Sequence, residues 1–97
     1  MKINLTQINN QARQLREQAT GLRGAQSSLR SFQRNLNTHW RGAEMSPLNR
    51  VMEDYIKRFA AIASDLDSIA ADIVREAEAI RRAEELAAAQ AALRAAD

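Results

Sequence analysis

The side chains that could support acid–base or metal chemistry are concentrated in the second half of the chain. Three aspartates stand close together at Asp65, Asp67 and Asp72, and a group of glutamates follows between positions 76 and 85. A di-iron site of the helical type needs a Glu-x-x-His pair, and acid–base catalysis needs convergent titratable groups in a cleft. The three aspartates cannot share one face of a helix, and no histidine or cysteine accompanies the acids. We interpret them as a solvated surface and expect no metal or other cofactor.

The single histidine, His39, is the other candidate for acid–base catalysis near neutral pH. Its position beside a Trp-Arg-Gly segment is typical of a cation at the end of a helix. The chain has no cysteine, which excludes disulfides, thiolate metal sites and a cysteine nucleophile. Gly21 and Gly24 have the spacing of a nucleic-acid clamp, but the strand pattern that surrounds such a clamp is missing. We therefore expect no catalytic residues and no enzyme activity.

Binding through charge is the remaining possibility for these polar residues. Residues 1–46 carry seven cations and two anions, whereas residues 47–97 carry seven cations and ten anions. The arginines at positions 13, 16, 23, 30 and 34 could follow a phosphate backbone or an anionic lipid surface. They are spread over many turns, however, the net charge is only +2, and an acidic half lies alongside. Nucleic-acid and membrane-surface binding are therefore alternatives and not the main interpretation.

The first half of the chain is predicted to form one helix, from about residue 4 to residue 39. Because the heptad phase passes Gly21 and Gly24 unshifted, we expect the helix to continue through them. We interpret that small-residue patch as a place where another helix approaches closely. Phe32 lies beside the stripe and widens it. Larger aliphatic side chains recur at every seventh position of this segment: Ile8, Leu15, Leu22, Leu29 and Leu36.

The second half is predicted to form a helix from Pro47 to about Ala83. The Ala-rich tail, residues 84–97, is expected to be either helical or frayed, since alanine favours helix but buries little. Val51, Ile56 and Val74 flank the apolar stripe. The stripe itself advances by threes and fours through Leu48, Met52, Tyr55, Phe59, Ile62, Leu66, Ile69 and Ile73.

The connection between the two helices is predicted at residues 40–46. Gly42 can adopt a positive φ to end the first helix, Ser46 is a suitable N-cap, and Pro47 fits the first helical position. A short connection between two long helices forces an antiparallel hairpin. The sequence therefore predicts one all-α domain over residues 1–97, built as a hairpin of two long helices.

Both apolar stripes are wider than the seam between two helices, so a lone hairpin would leave part of them in water. We expect two hairpins, identical or different, to pair into a four-helix bundle. No apolar run is long enough for a membrane span, and the start lacks the apolar segment of a cleavable signal. The residues predicted for the core and dimer interface are Leu15, Leu22, Leu29, Phe32, Leu36, Tyr55, Phe59, Ile62, Leu66, Ile69 and Ile73.

The predicted turn contains Trp40-Arg41-Gly42, a Trp-x-Gly between two long helices in a chain of about one hundred residues. This arrangement resembles the WXG family of small helical hairpins that bacterial type VII (ESX-like) systems secrete. The resemblance implies a homodimer or heterodimer that acts as a secreted factor or as the helical partner of a larger secreted effector. It also implies that Trp40 and Gly42 form a recognised turn, and that the protein leaves the cytoplasm without a signal peptide through a secretion ATPase. The other interpretation of Trp40 is a packed core residue that closes the tip of the bundle, and the two interpretations do not exclude each other.

The resemblance is incomplete at the export signal. The family pairs its turn motif with a Tyr-x-x-x-Asp/Glu on the partner's tail, whereas the only tyrosine here, Tyr55, lies early in the second helix and precedes Phe59 by four residues. The chain could therefore rely on a partner for export. The alternative function is an intracellular helical adaptor or chaperone that covers an apolar helix of another chain.

Overall fold

The computed structural model describes residues 2–96, which form two α-helices and contain no strand. Helix α1 spans Leu5–His39 and helix α2 spans Met45–Ala96. The two pack side by side along a rod that measures 84 × 17 × 14 Å. The predicted all-α hairpin of two long helices is confirmed.

Helix α1 begins at an asparagine cap and ends at the tryptophan of the turn. The Asn4 side-chain oxygen accepts a hydrogen bond of 3.1 Å from the Gln7 backbone N–H, which satisfies one of the unpaired donors of the first turn. At the other end the Trp40 backbone N–H donates to the Leu36 carbonyl at 2.8 Å. Trp40 itself has extended backbone angles, φ −123° and ψ 125°, so the helix cannot continue past it.

The helix runs unbroken through Gly21 and Gly24, in agreement with the heptad phase. A Cβ added at either glycine would meet nothing within 4 Å. Within the hairpin, therefore, the close approach expected at this patch does not occur. Both glycines are exposed, and the space beside them is open.

The turn reverses the chain differently from the prediction. Gly42 does not have a positive φ, and helix α2 begins at Met45, ahead of Ser46 and Pro47. The predicted N-cap at Ser46 and first helical position at Pro47 are therefore wrong. Pro47 is still tolerated, because the N–H groups of the first helical turn have no intrahelical acceptor and the missing one costs nothing.

Helix α2 has 52 residues against 35 in α1, so it extends beyond its partner helix. The Ile3 backbone N–H bonds both carboxylate oxygens of Glu84, at 3.0 and 3.2 Å, which places the start of α1 level with Glu84. Residues 85–96 continue past that level as a single helix, with Leu86 and Leu93 largely exposed. The Ala-rich tail is thus helical, as alanine's high helix propensity favours.

The centre of the seam consists mainly of alanine. Alanines at every seventh position let two helix backbones approach closely, because no side chain longer than a methyl group separates them. Larger side chains at the central positions would hold the helices farther apart, and in α1 the Leu residues accordingly lie at the edges of the seam, whereas near the turn Met45, Met52 and Ile56 are buried in it. The buried residues are Ala12, Ala19, Met45, Met52, Ile56, Ala63, Ala70 and Ala77, and of these Ala12, Ala19, Ala63 and Ala70 have no exposed surface.

This seam corrects the predicted orientation of α2. Ile56, which was expected to flank the stripe, is buried against α1, whereas Tyr55, Ile62 and Ile69 are about half exposed. Compared with the prediction, α2 is rotated about its own axis, so that its row of alanines faces α1. A large part of its apolar stripe consequently lies outside the hairpin's own seam.

Candidate interaction surface

The two broad faces of the hairpin differ in chemistry, and the cross-helix polar contacts identify one of them. The Arg23 guanidinium lies 2.5 Å from an Asp67 carboxylate oxygen. Arg23 follows the buried Ala19 by four residues, and Asp67 follows the buried Ala63 by four. Residues four positions after a seam residue therefore lie on the same side of the seam in both helices. We call this side the polar face.

The opposite side is apolar in both helices. Leu22 and Leu66 follow Ala19 and Ala63 by three residues, which places them across the seam from the polar face. At the far end of the hairpin, one shallow depression is lined by isoleucines from both sides of the seam, together with Asp72, Glu76 and Ala77; the isoleucines are Ile3, Ile8, Ile73 and Ile80. This agreement between helical geometry and contacts defines an apolar face. We assign to it Leu15, Leu22, Leu29, Phe32, Leu36, Leu48, Tyr55, Phe59, Ile62, Leu66, Ile69, Ile73 and Ile80.

The predicted interface residues all fall on this apolar face, at two levels of exposure. Those nearest the seam are half-buried, namely Leu15, Leu22, Leu29, Leu36, Phe59, Leu66 and Ile73. Those farther out are exposed, namely Phe32 at 58%, Tyr55 at 49%, Ile62 at 48% and Ile69 at 47%. None is fully buried within the hairpin. The face runs from Leu48 to Ile80 along α2, about 48 Å at 1.5 Å per residue.

The border of the apolar face on α1 carries no charge. Positions 14, 21, 28 and 35 hold Gln14, Gly21, Ser28 and Asn35, which step by seven along the helix beside Phe32 and its neighbours. All four residues are exposed. A helix from another molecule could approach this border without displacing water from a charged group, which is the costly step in burying polar surface.

The apolar face continues to the turn through Trp40. Its side chain is 64% exposed, so Trp40 is not a core residue of the hairpin. It shares a shallow depression with Phe32 and Leu36. Gly42 is also exposed, and a Cβ built there would lie 3.1 Å from a Glu44 carboxylate oxygen, which is the end of a flexible side chain.

An amide cluster on the polar face was not anticipated from the sequence. Asn37 and Asn49 each donate a side-chain hydrogen bond to the other, at 2.7 and 2.8 Å. Gln33 adds a bond of 3.3 Å to the Asn49 oxygen. All three are half-buried. The sequence does place one asparagine of each helix close to the turn and on the polar side of its apolar stripe. At that position the two helices must face each other, so a contact between the two side chains could have been expected.

The candidates for acid–base chemistry are separated from one another. Asp67 pairs with Arg23 across the seam, whereas Asp72 pairs with Arg75 on its own helix. His39 Nδ1 lies 2.9 Å from the Asn35 carbonyl, a local contact within α1. In the described range 2–96, no group of three His, Cys, Asp or Glu side chains is placed to hold a metal ion.

Over residues 2–96, neither helix contains an apolar stretch of the length and hydropathy required to cross a membrane. No family model, curated protein or solved structure matches the chain. The apolar face and the turn are therefore the features of this chain that bear on its function.

Proposed function

We propose that this chain is a non-enzymatic, WXG-like protein of a bacterial type VII secretion system. It would work by pairing its apolar face with a second helical hairpin to give a four-helix bundle. The supporting observation is the uncovered row of Phe32, Tyr55, Ile62 and Ile69, each about half exposed. Monomeric proteins rarely leave so long an apolar strip in water. A second hairpin of the same kind offers a surface of matching length and shape.

The α1 border supports a helical partner in particular. Gly21 has open space around it, and its neighbours along the border are small or uncharged. A facing helix can come close at such a place, because no side chain holds the two backbones apart. This is the role proposed for the small-residue patch, which has no close neighbour inside the hairpin.

The turn would be the part of the dimer that other proteins recognise. Trp40 projects into solvent on an extended backbone, with Phe32 and Leu36 beside it. A large, partly apolar ring at the tip of a rod is suited to docking against a larger secreted protein or a secretion ATPase. In this proposal the dimer forms in the cytoplasm and is exported without a signal peptide.

Light scattering of the purified chain tests the pairing step. Ile62→Glu with Ile69→Glu places two carboxylates on the apolar face, and Ser64→Glu with Ala71→Glu places two at the same spacing on exposed sites of the opposite face. We expect the first variant to be monomeric and the second to pair like the parent chain. The proposal would be contradicted if the purified parent chain is monomeric and no helical-hairpin protein of the bacterium that produces it binds to it.

Export is the measurement that separates this function from an adaptor that remains inside the cell. An adaptor would use the same apolar face but would not pass through a secretion system. In a bacterium with a type VII system, we expect the chain in the culture medium, and less of it when Trp40 is replaced by alanine. Retention of the parent chain in the cytoplasm would favour the adaptor.

A further inference from the structure

The apolar face has a bulky outer row on α2. Four exposed side chains form this row at a spacing of seven residues: Tyr55, Ile62, Ile69 and Glu76. The first three are between 47% and 49% exposed. Glu76 lines the same depression as Ile80, which places its carboxylate beside the apolar face at the end far from the turn. The outer row of α2 is therefore large and apolar in its middle and polar at its ends.

The α1 border of the same face has the complementary shape. Its two central residues are Gly21 and Ser28, and amides stand at its two ends, Gln14 and Asn35. A Cβ added at Gly21 would meet nothing within 4 Å, so a large side chain of another molecule has room there. The border is small where the outer row of α2 is large, and both are polar at their ends.

The border and the outer row also match in height along the rod. Arg23 is opposite Asp67 in the antiparallel hairpin. Gly21 lies two residues before Arg23, and Ile69 lies two residues after Asp67, so Gly21 and Ile69 are at the same level. Steps of seven in opposite directions along the two helices give the other level pairs, which are Gln14 with Glu76, Ser28 with Ile62, and Asn35 with Tyr55.

We propose that the chain pairs with a second copy of itself whose turn lies at the same end, so that the α1 border of each copy packs against the outer row of α2 in the other. This inference rests on the proposed function and specifies the partner and its orientation. A two-fold axis parallel to the rod keeps every height and places α1 of one copy beside α2 of the other. Ile69 then fills the space at Gly21, and the Gln14 amide is level with the Glu76 carboxylate, to which it donates.

A dimer with the turns at opposite ends matches these surfaces less well. It places α1 against α1 and α2 against α2, so one contact joins two small borders and the other joins two bulky rows. The two contacts then need different separations between helices, although the alanine seam holds α1 and α2 of each copy close together. With the turns at the same end, the two contacts are identical, and each pairs a small border with a bulky row.

The distance between the two turns of the dimer tests the orientation. The chain has no cysteine, so Arg41→Cys accepts one nitroxide label per copy at an exposed site of the turn. Turns at the same end place the two labels about 20–35 Å apart, because neighbouring helices are about 10 Å apart. Turns at opposite ends place them about 60 Å apart, the length of α2 from residue 45 to residue 84 at about 1.5 Å per residue. Double electron–electron resonance measures this distance.

An exchange of side-chain size across the contact gives an independent test. Ser28→Ile adds volume and Ile62→Ser removes it, and we expect each variant to dimerise about tenfold more weakly than the parent chain. The double variant restores the total volume at both contacts, so its dimerisation should return to within about threefold of the parent. With the turns at opposite ends, the two changes would fall in different contacts and their effects would add. Ser27→Ile is the matched control, because Ser27 is exposed and follows Arg23 of the polar face by four residues; it should leave the dimer unchanged.

The outcomes distinguish this inference from the proposed function. Labels about 60 Å apart in a dimer, or additive losses in the double variant, would overturn the inference and leave the pairing of hairpins standing. A parent chain that pairs only with a different helical hairpin would do the same. A chain that pairs with no hairpin at all would contradict both.

Discussion

Asn37 of α1 and Asn49 of α2 exchange two side-chain hydrogen bonds, of 2.7 and 2.8 Å. Each of the two residues lies within five residues of the turn. A third bond, from Asn37 to the Gln33 carbonyl at 2.9 Å, holds the amide in place. Each amide is both donor and acceptor to the other, so the two hydrogen bonds can form in only one axial alignment of the helices. A polar pair between packed helices favours one register over the others. The pair therefore sets the height at which every other residue of α1 meets α2.

Removal of one member of this pair should cost more than removal of both. Asn37→Ala leaves the half-buried Asn49 amide without its partner, and we expect the free energy of unfolding to fall by about 1–2 kcal/mol. Replacement of both residues by leucine should be close to neutral, because no polar group is left unpaired. Urea unfolding of Asn37→Ala, Asn49→Ala and the double alanine variant gives the coupling energy. Strictly additive effects would contradict a direct interaction.

The alanine seam predicts that added volume destabilises the hairpin. Ala70→Leu introduces a branched side chain where the existing one is fully buried, and we expect a loss of about 1–3 kcal/mol from strain and separation of the helices. Ala71→Leu is the matched control, since residue 71 is exposed and adjacent in sequence. Its effect should stay within about 0.5 kcal/mol. Thermal unfolding followed by circular dichroism measures both.

The seam also shows where prediction from the sequence succeeds and where it does not. The heptad series through Leu22 and the turn near Gly42 predict two antiparallel helices, because periodicity and chain breaks are local properties. The rotation of α2 about its axis is not local. Its stripe is wide enough for either edge to face α1, and the choice depends on how closely the backbones can approach. Alanine at position 63 permits the closer packing, which a search for large apolar side chains overlooks.

The first residue of α2 also could not be predicted from the sequence, because it too depends on contacts between the helices. The residues Ser46 and Pro47 are favourable at a helix start, but α2 begins earlier, at Met45, which is buried. Burial of that side chain outweighs a local preference of about 1 kcal/mol at the cap. Similarly, the Asn37–Asn49 pair depends on residues twelve positions apart meeting across the turn. Only the three-dimensional register brings them together.

Gly21 and Gly24 allow helix stability to be separated from pairing of hairpins. Replacement of either by alanine should stabilise α1 by about 1 kcal/mol, because both are helical and an added Cβ meets no other atom. Only Gly21 lies on the border of the apolar face. We therefore expect Gly21→Ala to weaken the proposed dimer, and Gly24→Ala to leave it unchanged. Dilution experiments by light scattering, alongside unfolding of the monomer, distinguish the two effects.

The single-helix end of α2 should be dispensable for the stability of the hairpin. Residues 86–96 lie beyond the Ile3–Glu84 contact and bury no residue fully. Truncation after Glu85 should change the free energy of unfolding by less than about 0.5 kcal/mol, while helical content falls in proportion to the residues removed. A larger loss, measured by urea unfolding, would mean that this segment packs against another surface in solution.

Substitution of Trp40 separates an effect on the stability of the fold from an effect on export or partner binding. Its side chain is 64% exposed, so Trp40→Ala removes little buried area, and we expect the free energy of unfolding to change by less than about 1 kcal/mol. If the turn is the recognised part of the dimer, the same substitution lowers export or partner binding substantially, whereas Trp40→Phe retains an aromatic ring and part of the activity. Arg41→Ala, at the adjacent exposed position, serves as the control for a general disturbance of the turn. Because a packing residue would show loss of stability before loss of export, the order of the two effects decides which role the tryptophan has.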